Sequence, residues 1–117
     1  MKKIIVMGAN AARQKILRFD SLRHGEVNRA LEMIEVSAGK GINFCRAVKI
    51  WGKAEPEVIQ FAGGENGAYL ANAMEKEGIA SRTVRCQSPL RMCMTCIDER
   101  HPMGINAVTP FGSVCDH

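Results

Sequence analysis

The period of hydrophobic and polar positions changes several times along the chain, and each change marks an element. Residues 2–7 carry the unbroken apolar run Ile4-Ile5-Val6-Met7, the pattern of a short buried strand in a parallel sheet. Residues 14–19 set apolar Ile16 and Leu17 against polar Lys15 and Arg18, which predicts a second strand. Residues 27–36 hold more strand-forming side chains, Met33, Ile34 and Val36. From Lys40 to Trp51 the period becomes helical. Phe44, Ala47, Val48 and Trp51 fall at i, i+3, i+4 and i+7 as one apolar stripe, and Gly52 supplies the stop. Residues 57–61 predict another strand, Ala62-Gly63-Gly64 a tight turn, and residues 66–77 a second helix with Leu70, Ala73 and Met74 on its buried side. Gly78 and Ile79 fit a Schellman ending, with Ile79 as its apolar clasp. Residues 83–85 predict a short strand, and residues 91–99 and 105–109 a hairpin around His101-Pro102-Met103-Gly104. Strand–helix–strand units predict an α/β fold with a parallel-sheet core, and the alternating strands form a smaller accessory sheet.

Composition narrows the partners. The chain has 117 residues, 46% of them hydrophobic and 24% charged, the profile of one globular domain. A net charge of +4 suits anionic small molecules as much as nucleic acid. Aromatics are only 5%, and no basic run alternates with them, which argues against a nucleic-acid partner. No apolar run approaches the roughly 18 residues of a membrane span, and the N-terminal run is too short for a signal peptide. The five cysteines, Cys45, Cys86, Cys93, Cys96 and Cys115, are odd in number and follow no regular framework. They predict structural thiols in a reducing cytoplasm. Cys93 and Cys96 have Cys-x-x-Cys spacing, but a strand would turn them to opposite faces. A zinc site would need two further ligands, with His101 and Cys115 the nearest.

The densest chemistry lies in Ser37-Ala38-Gly39-Lys40-Gly41-Ile42-Asn43 at the mouth of the first helix. A helix start offers unpaired N–H groups and partial positive charge. Glycine lets backbone approach a ligand, Lys40 adds a full charge, and Asn43 donates and accepts. Many glycine turns merely open a helix, so a plain cap remains the competing reading. The loop matches neither the P-loop nor the dinucleotide pattern.

Three stretches, Gly25-Glu26-Val27-Asn28-Arg29-Ala30, Ala38-Gly39-Lys40-Gly41-Ile42-Asn43 and Phe61-Ala62-Gly63-Gly64-Glu65-Asn66-Gly67, resemble the N-terminal part of PfkB-type carbohydrate kinases. The 1-phosphofructokinase and tagatose-6-phosphate kinase branch is the most similar. The resemblance implies a partial ribokinase-like α/β core with a small β-sheet lid, whose strands fall at about 14–36 and 91–109. It implies a sugar-phosphate site built from Gln14, Gly39, Lys40, Asn43 and Arg91, with Arg91 pairing the substrate phosphate. Gln14 stands where the family carries an aspartate, Cys93 where a lid asparagine is common, and Asn106 where the lid often has a glutamate. ATP and magnesium are implied for the full-length family, and no cofactor for this chain. The Gly-Ala-Gly-Asp motif, which supplies the family's general base, does not occur here, and the expectation is that the C-terminal nucleotide-binding half is absent. Residues 1–117 then read as the N-terminal part of an ATP-dependent phosphosugar kinase, inactive alone. Its acceptor would be a ketose phosphate such as fructose 1-phosphate, fructose 6-phosphate or tagatose 6-phosphate. The alternative is a sugar-phosphate-binding or dimerisation module without catalysis. Both readings expect a homodimer, through lid strands or an open sheet edge.

Overall fold

The structure, a computed structural model, describes residues 1–100 together with the backbone of residues 105–108. Three strands, β1 (Lys2–Gly8), β4 (Ala54–Ala62) and β5 (Ala80–Arg85), form a parallel sheet in the order β1-β4-β5. Two helices cross between them, α1 (Lys40–Trp51) before β4 and α2 (Gly64–Glu77) before β5. Both pack on one face of this sheet. Ile42 and Cys45 of α1 and Leu70 and Met74 of α2 meet Val58 of β4 in a single buried cluster, closed by Ile79. Burial pushes the Cys45 thiol up, so it sits in that core as a neutral apolar group. Gly78 adopts the left-handed conformation, and Ile79 N–H donates to the Met74 carbonyl at 3.0 Å, so the expected Schellman ending is present.

Two expectations about burial are corrected. The apolar run of β1 predicts a strand covered on both faces, yet β1 is an edge strand with Ile5 58% and Met7 67% exposed. Along the parallel register, Ile5 and Met7 share a face with Ile59 and Phe61 of β4 and Val84 of β5. That face lies opposite the helices. Glu57 on the same face is buried between Lys3 of β1 and Arg82 of β5, both of which pair with it. The second correction concerns α1. Its buried residues are Ile42, Cys45 and Val48, so of the predicted stripe only Val48 enters the core. Phe44 (49%), Ala47 and Trp51 (60%) form a second apolar face that points to solvent.

The second sheet has the order β3-β2-β6-β7, with β2 (Ala12–Phe19), β3 (Glu32–Ala38), β6 (Met92–Asp98) and β7 (Ile105–Val108). The β2–β3 and β6–β7 pairs are antiparallel and the β2–β6 pair is parallel. The accessory sheet is therefore present, although β3 starts later than its sequence suggests. Residues 27–30 stay outside it, where the Asn28 amide binds the backbone of Arg23 and Glu26 and closes a loop. The expected hairpin turn at 101–104, the segment 109–117 with Cys115, and the Asn106 side chain lie outside the described residues. Cys45, Cys93 and Cys96 are free thiols, whereas Cys86 is disulfide-bonded, so the thiol expectation does not extend to it. Among the described residues no helix is long and apolar enough to cross a membrane.

The sheets are joined beside α2. Arg13 of β2 donates to Glu35 at 2.7 Å and to Asn66 Oδ1 at 3.2 Å, and lies over the Tyr69 ring at 4.2 Å. The Arg13 guanidinium holds the Glu35 carboxyl below its ordinary value. Asn66 in turn donates to the Leu90 carbonyl at 3.1 Å, just ahead of β6.

Candidate functional site

The first sheet gives way to the second through residues 9–11, between β1 and β2. The N-terminus of α1 opens against that connection. Gly39, the residue before the helix, has φ 136°, and no side chain caps the helix. A side chain is disfavoured there both by the positive φ and by Ala11 Cα, which would lie 3.2 Å from its Cβ. At Gly41 a Cβ would lie 2.9 Å from Gly8 Cα. The glycines thus let α1 seat on the end of β1, a packing role that ligand approach alone does not require. The first amides of α1 consequently face a cleft with no side-chain oxygen to receive them.

The cleft has a volume of about 500 Å³ and is lined by Gly8 and Asn10, by Gly39, Lys40 and Asn43, and by Arg91. Four of the five residues expected from sequence, Gly39, Lys40, Asn43 and Arg91, therefore converge. Gln14 does not line the cleft. It lies on β2 opposite Cys93, and its amide donates to Thr95 Oγ1 at 2.9 Å. Lys40 has neither a carboxylate nor a hydrogen-bond partner among the described residues. Asn43 Oδ1 accepts from Arg46 at 2.8 Å, and Arg46 continues into Glu77 and Ser37. Arg91 reaches in from the second sheet. Its Nη1 donates to Cys93 Sγ at 3.1 Å and its Nη2 to the Asn10 carbonyl at 3.1 Å, while Nε is buried without a partner. The sequence pattern announced neither the Asn10 carbonyl nor the Cys93 sulfur as partners of Arg91. The period-two spacing of Arg91 and Cys93 was the available signal for the latter.

Two cations and an uncapped helix start, with no carboxylate lining the cleft among the described residues, have the chemistry of a candidate anion site. The donor set fits a phosphate-bearing ligand and does not fit resident magnesium, so no step through metal or nucleotide is assigned to these residues. Among the described residues, no group of three or more His, Cys, Asp or Glu is placed to hold a metal.

A family model described as pfkB family carbohydrate kinase matches residues 1–111. The chain belongs to that family. Solved structures show the same fold. Phosphofructokinase-2 from Escherichia coli in complex with fructose-6-phosphate is 20% identical, with a TM-score of 0.86 over 99% of this chain and 38% of that one. The tetrameric inhibited form of the same Escherichia coli protein gives 20% identity and a TM-score of 0.85, with 99% and 38% covered. A Thermotoga maritima protein described as a possible 1-phosphofructokinase is 22% identical, with a TM-score of 0.82 over 95% of this chain and 36% of that one. The partial ribokinase-like α/β fold expected from sequence is therefore present. The pfkB-family chain spans just over a third of the length of these structures.

Proposed function

We propose that this pfkB-family chain binds a ketose phosphate through the cleft between its two sheets. It supplies the sugar-phosphate half of an ATP-dependent phosphosugar kinase. Fructose 6-phosphate, fructose 1-phosphate and tagatose 6-phosphate are the candidate ligands. The observation that carries this reading is the convergence of Lys40 and Arg91 with the uncapped amides of α1 in one cleft. Arg91 offers planar paired donors suited to a phosphate, and Lys40 adds a point charge. Among the described residues neither a carboxylate nor an imidazole lines that cleft, and the proposed role of this chain is binding. The uncovered apolar face of the first sheet supports pairing with a second copy.

Calorimetry tests the binding. The three ketose phosphates should give saturable heat, and fructose, which lacks the phosphate, should give none. R91A and K40A should each weaken binding about tenfold, the ordinary worth of one charge-assisted contact. No turnover should accompany binding when ATP and magnesium are added. A folded sample that gives no heat with any ketose phosphate overturns the binding reading, and turnover overturns the restriction to binding.

A further inference from the structure

We infer that Cys93 is a positioning residue, whose sulfur holds the Arg91 guanidinium in its cleft-facing orientation. The inference rests on the sugar-phosphate reading of the cleft. Arg91 stands immediately before β6 and Cys93 is its second residue, so the two side chains emerge on the same face. A guanidinium can only donate, so the 3.1 Å contact from Nη1 makes Sγ the acceptor. The other arm is held by the Asn10 carbonyl at 3.1 Å. One acceptor belongs to the second sheet and the other to the connection leaving β1, and together they fix the guanidinium plane across the cleft. Two of the five N–H groups are used in this way, which leaves donors for an incoming anion. Gln14, the neighbour of Cys93 in the register, is occupied by Thr95 and does not replace the sulfur. An arginine aligned before the ligand arrives loses less side-chain freedom on binding.

Fructose 6-phosphate is the probe, titrated into the wild-type chain, C93A, C93S and R91A, with folding checked by circular dichroism. C93A should weaken binding about five- to tenfold, the effect of one lost hydrogen bond. C93S should stay within about threefold of wild type, because a hydroxyl also accepts. In the R91A background, C93A should have no further effect. Full affinity in C93A, or independent losses from C93A and R91A, overturns the proposal. If the wild-type chain binds no fructose 6-phosphate, the sugar-phosphate reading fails. The positioning is then read from the Arg91 Nε–H resonance. A resolved, slowly exchanging signal in wild type and C93S that is lost in C93A upholds it, and identical spectra in all three overturn it.

Discussion

Glu77 ends α2 with its carboxylate turned back on Arg46 at 2.8 Å and accepting the Ser37 hydroxyl at 3.1 Å, so one side chain ties both helices to β3. The Arg46 hydrogen bond holds the Glu77 carboxyl below its ordinary value against the opposing effect of burial. Glu35 is held down likewise by Arg13, and Glu57 by Lys3 and Arg82. A carboxyl lowered in the folded state contributes stability above its unfolded value and loses it as pH falls through the folded one. Thermal stability should therefore decline on acidification below the ordinary carboxylate range. E77Q should cost about 1 kcal/mol at neutral pH, discounted for partial exposure, and should show a shallower acid decline. Melting curves at neutral and acid pH check this, and equal acid slopes for E77Q and wild type would contradict it. At this scale the lining of the candidate site was legible where its residues fall in one short stretch, as at Gly39, Lys40 and Asn43. Arg91 came from resemblance alone. Asn10 contributes a backbone carbonyl, which no side-chain pattern announces, and Gln14 is drawn off by Thr95, a partner 81 positions away.

The bounds of α1 follow from sequence because Gly39 and Gly52 punctuate both ends. Its orientation does not. The helix carries two apolar faces, Ile42-Cys45-Val48 and Phe44-Ala47-Trp51, and a 3.6-residue period marks both equally. Only the sheet decides, through Gly41, which lets the first face approach β1. The start of α2 shows a tighter constraint. Gly63 is extended, and its carbonyl accepts from Leu90 N–H at 2.9 Å. A Cβ there would lie 2.0 Å from the Ser88 carbonyl and 2.6 Å from that of Cys86. Backbone cannot yield as a flexible side chain would, so G63A should cost about 3 kcal/mol or more. Urea denaturation measures it, and a loss under about 0.5 kcal/mol, the scale of a neutral surface change, would contradict this packing.

Across the whole molecule, the parallel core and second sheet were legible from the alternation of strand and helix periods, and the resemblance led to an expected open sheet edge, whereas the apolar run of β1 by itself did not mark which face stays uncovered. The run Ile4-Ile5-Val6-Met7 reads as buried on both faces, yet helices cover only one. Among the described residues, Ile5, Met7 and Val84 stand exposed on the other, beside a β1 edge that pairs with no further strand. Such surfaces drive association. Light scattering should show concentration-dependent dimers or larger species, and I5K with M7K should shift the sample toward monomer. A monomer at high concentration in the wild type would refute this. Lys40 rides on a helix of the first layer, whereas Arg91 enters with a strand of the second. On the proposed function, a single anion gripped by both is a brace across the joint, so filling the cleft and stabilising the fold favour each other to the same extent.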